Sequence, residues 1–229
     1  MARGSLSLFA VIFALVYCRS KGQSVRLVGG SSSDGLLEVF ENGEWGTVCD
    51  DLWGYNNAFV VCKELGFQSY ETVFPSHTHV TSASEDIWYD DVECTGSESS
   101  LRECPKRPVG ETNCGHFEDI GVACSQQTLR LVGGSSKNEG RIEVFHNRRW
   151  GTVCDDHWDE TDALVVCKQL GYSSVVTADS HSFPIGTGKI WFDNVQCIGT
   201  EATLHDCPRS AVPHNCGHHE DVGIVCSSN

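Results

Sequence analysis

Two acidic pairs carry the most suggestive chemistry in this chain. Asp50-Asp51 and Asp155-Asp156 each follow a cysteine directly. Several hard oxygens converging in an oxidised domain suit Ca²⁺ or, less selectively, Mg²⁺. The competing reading is that these acids cap turns or face water. A basic pair, Arg148-Arg149, lies near Arg141, and guanidinium forks suit sulfate, phosphate and carboxylate groups. His205, His214, His218 and His219 gather near the C-terminus. The adjacent His218-His219 point two ways and the neighbouring cysteines are expected in disulfides, so packing is preferred over zinc for His116 and His218. Bond-making chemistry is not marked. Gly186-Thr187-Gly188-Lys189 lacks the earlier glycine of a phosphate loop and runs into Ile190. Neither HExxH nor GxSxG occurs, and the expectation is a protein that is not an enzyme.

These residues must be positioned by a chain of 229 residues, 40% hydrophobic and 21% charged, which can bury real cores. Its formal net charge of -15 argues against a nucleic-acid partner held through phosphates. Thirteen cysteines against one methionine fit an oxidising compartment. Residues 1–22 read as a secretory signal peptide, with Arg3 ahead of an apolar run from Leu6 to Tyr17 and with Ser20 and Gly22 as small residues before Gln23. That run is too short to span a bilayer, so no transmembrane anchor is expected and the product is expected to be secreted. Cleavage would remove Cys18 and leave twelve cysteines, an even number.

The remainder repeats itself. Arg26-Leu27-Val28-Gly29-Gly30 recurs from Arg130 to Gly134, and WGTVCDD at Trp45–Asp51 recurs at Trp150–Asp156. The cysteines of copy one are spaced 13, 32, 10, 10 and 10 apart, and those of copy two 13, 30, 10, 9 and 10. Two tandem domains are therefore expected, over residues 25–124 and 128–226, with little linker between them. Acid is unevenly shared: residues 25–124 carry five basic and eighteen acidic side chains, and residues 125–229 carry eight and thirteen. Leu37 and Val39 followed by Asn42-Gly43 predict a strand entering a hairpin turn, with Trp45 to Val48 returning. Arg148-Arg149 fall at the corresponding turn of copy two. Ala58, Val61, Cys62 and Leu65 form the apolar stripe of a short helix, capped by Asn56 or Asn57 and ended by Gly66. Copy two repeats the stripe with Ala163, Val166, Cys167 and Leu170. The fold class expected is α+β. The six tryptophans are expected mainly in cores, with Trp53 and Trp158 the better candidates for partial exposure.

The opening Arg-Leu-Val-Gly-Gly, WGTVCDDxW, the VVCKxLG helix, IWxDxVxCxGxExxLxxC and the closing CGHxED(I/V)GxxC together resemble scavenger receptor cysteine-rich domains of the six-cysteine group A form. The resemblance implies two disulfide-stapled domains, each a small curved antiparallel sheet packed on one main helix. It implies the pairings Cys49-Cys114, Cys62-Cys124, Cys94-Cys104, Cys154-Cys216, Cys167-Cys226 and Cys197-Cys207; spacing alone leaves fifteen pairings per copy open. It also implies one cation site at Asp50, Asp51 and Glu118, repeated at Asp155, Asp156 and Glu220. A second would use Asp90 and Asn113, with Asp91 or Glu98 as helpers, repeated at Asp193 and Asn215. Asn194 stands in place of Asp91, which weakens the second site of copy two. The function implied is a secreted recognition protein in innate defence, binding proteins or polyanionic, microbial-surface ligands through cation-assisted contacts, with Arg141, Arg148 and Arg149 as anion contacts. The alternatives are an adhesive or developmental extracellular protein and, further off, an unrecognised hydrolase.

Overall fold

The computed structural model describes residues 24–75, 86–179, 182–210 and 213–228; the leader and Cys18 lie outside them. Copy one runs β1 (Val25–Val28), β2 (Asp34–Glu41), β3 (Glu44–Val48), α1 (Tyr55–Glu64), β4 (Ser69–Pro75), β5 (Ile87–Tyr89) and β6 (Ile120–Ser125). Copy two runs β7 (Leu129–Gly133), β8 (Glu139–His146), β9 (Arg149–Val153), α2 (Glu160–Gln169), β10 (Ser174–Asp179), β11 (Ile190–Phe192) and β12 (Gly223–Ser227).

Each copy builds one six-stranded sheet, ordered β4-β6-β2-β3-β5 with β1 also on β2, and correspondingly β10-β12-β8-β9-β11 with β7 on β8. The hairpin forms where Asn42-Gly43 predicts it. Both turn residues take positive φ, 52° and 94°, as a two-residue turn matched to strand twist requires. The sheet is not wholly antiparallel: β5 runs parallel to β3 and β11 parallel to β9. The connection from β3 to β5, which contains α1 and β4, returns the chain in the same direction, which a hairpin reading cannot foresee.

One helix packs on each sheet. Val60, Val61 and Cys62 are fully buried and join Val39, Val48, Leu101 and Val122 in one core; Val165, Val166 and Cys167 do the same in copy two. The asparagines expected as caps lie inside α1, whose N-cap is Gly54. Asn57 is buried and clamps the loop before Cys94: its amide donates to the Val92 carbonyl at 2.6 Å and its oxygen accepts from the Cys94 N–H at 2.9 Å. Asp162 stands in its place in copy two, accepting from the Cys197 N–H at 2.7 Å and from Asp159 N–H at 2.9 Å. Burial raises the Asp162 pKa above the usual carboxylate value. Of the tryptophans, Trp53, Trp88, Trp158 and Trp191 pack against the cores. Trp45 and Trp150 do not; each lies under an arginine, Arg26 at 4.1 Å and Arg130 at 4.2 Å from the ring centre.

All six disulfides join the cysteines the resemblance implies. Cys62–Cys124 and Cys167–Cys226 tie each helix to the last strand of its sheet. Four of the bridges span 59 to 65 residues. On a chain-entropy model each of these contributes about 4 kcal/mol against the unfolded chain.

Candidate functional site

The acidic pair of each copy sits where β3 or β9 leaves the sheet. Cys49 bridges Asp119, and Cys154 bridges Asp221, as isolated antiparallel pairs. This lays Asp50 beside Glu118, with the Asp50 N–H donating to the Glu118 carbonyl at 2.8 Å; Asp155 does the same to Glu220 at 2.9 Å. A tight turn follows, closed by the Trp53 N–H on the Asp50 carbonyl at 3.0 Å. Leu52 and His157 sit in the left-handed region at its crest, with φ of 55° and 61°. The disulfide then holds Cys114, or Cys216, against the same corner.

In copy two the first site converges as the resemblance implies: one carboxylate oxygen from each of Asp155, Asp156 and Glu220 lies within 4.8 Å of the others. In copy one Asp50, Asp51 and Glu118 do not converge to that distance, and their nearness shows only in charge. Burial, then Asp51, then Glu118 raise the Asp50 pKa above the ordinary carboxylate value. A cluster of oxygens that resists taking up all its negative charge fits a hard divalent ion.

The second site adjoins the first through a shared acid. Asp51 and Asp90 converge beside the Cys49–Cys114 bridge, and Asp156 and Asp193 beside Cys154–Cys216. The bridge sulfurs are oxidised and cannot serve as thiolate ligands. Asp90 is 1% exposed and Asp193 6%. Asn113 is present, but its side-chain amide donates to Asp51 at 3.4 Å and its N–H to Asp90 at 3.3 Å, so it is placed as a donor to the acids. Asn215 is exposed. The helpers are otherwise engaged. The Glu98 carboxylate binds its own loop, accepting from the N–H groups of Thr95 and Gly96.

The two copies differ at this second site in a way their acids do not reveal. The Arg107 guanidinium lies on Asp91 at 2.5 Å and 3.6 Å from Asp90, so copy one already carries a cation there. Ser210 occupies the corresponding place in copy two: its N–H meets the Asp193 carbonyl at 3.0 Å, as the Arg107 N–H meets Asp90 at 3.1 Å. The acid lost in the change from Asp91 to Asn194 is thus matched by the positive charge of Arg107, present in copy one only, and Asp193 is left without a guanidinium beside it among the described residues. No local spacing signals Arg107, because it approaches from another loop.

The arginines do not gather. Arg141 is 7% exposed and bonds Glu143 at 2.7 Å and the Pro184 carbonyl. Burial pushes the Glu143 pKa up, but Arg141 and Arg130 hold it below the usual value. Arg141 is thus a buried partner of a carboxylate and not part of the turn. Arg148 and Arg149 lie at the junction between the copies. Arg148 donates to the Thr95 carbonyl at 2.7 Å, and Arg149 stacks 3.6 Å from the Tyr55 ring centre. Phe145 completes this junction against Phe59 and Tyr70, with ring centres 5.8 and 5.6 Å away. The Trp150 indole donates to the Tyr70 carbonyl at 2.6 Å, and Arg130 to the Glu71 carbonyl at 3.1 Å. Among the described residues, no helix is long and apolar enough to cross a membrane.

Comparison with known proteins agrees with this architecture. The model of the scavenger receptor cysteine-rich domain matches residues 27–125 and 132–227. A scavenger receptor cysteine-rich domain superfamily protein of Patiria pectinifera is 43% identical over 213 residues, covering 89% of this chain but 18% of that protein. The chain therefore spans under a fifth of that relative's length. Among solved structures, the third such domain of murine neurotrypsin is 46% identical, covering 44% of this chain and 96% of its own, with a TM-score of 0.41. The domain of mouse MARCO, in its dimeric form, is 45% identical, covering 45% and 96%, with a TM-score of 0.37. With the family model matched over two regions that together take in most of its length, the chain belongs to the scavenger receptor cysteine-rich domain family.

Proposed function

We propose that this chain is an extracellular recognition protein, not an enzyme, that captures proteins or polyanionic, microbial-surface ligands through divalent-cation contacts, centred on copy two. The observation that carries the reading is the convergence of Asp155, Asp156 and Glu220 within 4.8 Å, continued to Asp193 through Asp156. These residues would hold Ca²⁺, or Mg²⁺ less selectively. A bound ion would neutralise local repulsion on a strongly acidic protein and offer open coordination positions to carboxylate, sulfate or phosphate groups. The anion contact rests on the ion rather than on Arg141, which is buried, or on Arg148 and Arg149, which are engaged at the junction.

The test is a calcium titration of the secreted protein followed by thermal unfolding. With a Kd of about 1 mM, in the range of extracellular modules, tenfold excess calcium stabilises by about 1.4 kcal/mol. For a domain of this size that raises Tm by roughly 5–10 °C. Asp156→Asn removes a ligand shared by both clusters and should abolish most of this shift in copy two. Retention on immobilised heparin or lipopolysaccharide should be lost in chelator. A Tm indifferent to calcium, or retention indifferent to both chelator and Asp156→Asn, rejects the proposal.

A further inference from the structure

The junction joins unlike surfaces. A hairpin of copy two, β8–β9 with Arg130 beside it, sits on a seat of copy one made by α1, the start of β4 and the loop after Cys94. Since both copies share one fold, each carries both halves of such a contact, and a heterologous contact does not close on itself. Among the described residues, the copy-one hairpin is not set on a second domain and the copy-two seat receives no second hairpin.

The spare seat lies on copy two. Leu164, Val175, Val176 and Ile198 stand there in the places of Phe59, Tyr70, Glu71 and Thr95, and Glu160 in the place of Tyr55. Val176 is 61% exposed and Ile198 76%, so this seat is more apolar than the one that is covered. Three of the junction's hydrogen bonds go to main-chain carbonyls, those of Tyr70, Glu71 and Thr95. Copy two reproduces that backbone: the ladder to β12 is interrupted between Val175 and Thr177, as that between β4 and β6 is between Tyr70 and Thr72. A bulge of this kind takes one residue out of the ladder on an edge strand. Gly199 keeps the open conformation of Gly96, with φ of 89° and 87°, against which Arg148 lies in copy one.

We propose that this seat docks the hairpin of a further domain of the same fold, one that carries Arg or Lys at the position of Arg149. That cation would meet Glu160 where Arg149 meets Tyr55. The chain's own spare hairpin has the aromatic half of the contact, Phe40 with Trp45 at 5.1 Å, and Phe40 is 37% exposed where the seated Phe145 is 8%. It has the wrong charge. Gly43 and Glu44 replace Arg148 and Arg149, so Glu44 would face Glu160, and like charges set against each other block end-to-end stacking of identical chains.

The full chain supplies its own test. Gly43→Arg with Glu44→Arg copies the seated turn; arginine is tolerated at the first position, since Arg148 holds φ 66° there. In sedimentation velocity the unaltered chain should remain monomeric as concentration rises. The double variant should move to dimers and longer assemblies, and adding Val176→Asp should return it to the monomer. Should the double variant fail to fold, Glu44→Arg alone, at an exposed position, gives the same readout. A variant as monomeric as the parent, or assembly that persists with Val176→Asp, overturns the proposal.

Discussion

Phe145 and Phe40 are equivalent residues in different surroundings, which makes them a matched pair. Phe145 is 8% exposed, ringed by Phe59, Tyr70 and Trp150 at 5.8, 5.6 and 5.3 Å. Phe40 is 37% exposed and its ring meets Trp45 at 5.1 Å. Truncating a buried phenylalanine to alanine costs about 3–5 kcal/mol, and each well-placed ring pair contributes about 0.5–1.5 kcal/mol of this beyond area. Phe145→Ala should therefore cost about 3 kcal/mol. Phe40→Ala, with over a third of its surface already wet and its ring against Trp45, should cost about 1 kcal/mol. Urea unfolding with disulfides intact, followed by tryptophan fluorescence, measures both. Since the Phe145 contacts run between copies, its loss should also split a single transition into two. Equal costs for the two variants, or one unbroken transition in Phe145→Ala, would refute the claim that the copies are coupled through this ring.

Arg107→Ser gives copy one the residue of copy two, freeing Asp90 and Asp91. Calorimetry should then find calcium binding at copy one tighter by a few-fold, since the guanidinium no longer holds Asp90 and Asp91 against the ion; unchanged heat would show that Arg107 does not compete. Glu98 answers to acid: burial pushes its pKa up, but hydrogen bonds from Thr95 and Gly96 outweigh this and hold it at about 2, below the ordinary 4.5. A depressed carboxylate stabilises the fold above its unfolded pKa and loses that contribution as pH falls from about 4.5 towards 2. Glu98→Gln should flatten the acid limb of stability measured by urea unfolding, and an acid limb of unchanged slope would contradict this.

Much of the architecture can be read from the chain because it is local or repeated. The cysteine ladder and the duplicated motifs set two copies in register, Asn42-Gly43 marks its own turn, and the Ala58-Val61-Cys62-Leu65 stripe marks its helix. What escapes is contact between distant segments. Asn57 looks like a cap because it sits near a helix start, yet its amide is used on a loop 35 residues away. Arg107 lies 16 residues from Asp91 and nothing local announces their pairing. Arg148 and Arg149 did carry a signal, as the places where copy two departs from Gly43-Glu44. A turn read alone looks solvent-facing, and only the second body, brought up by the short link after Ser125, shows what the guanidiniums rest on.

The long bridges also decide how the protein would answer to tension. A pull applied at the two ends of copy one is carried covalently from Cys49 straight to Cys114, leaving the 65-residue interval between them slack and unloaded. At about 3.4 Å per extended residue that withholds roughly 220 Å of length, and the 62-residue interval in copy two withholds nearly as much. Under load each copy is a short, inextensible link, with Asp50, Asp51 and Asp90, and Asp155, Asp156 and Asp193, inside the part that force cannot unravel and Glu118 and Glu220 just outside it.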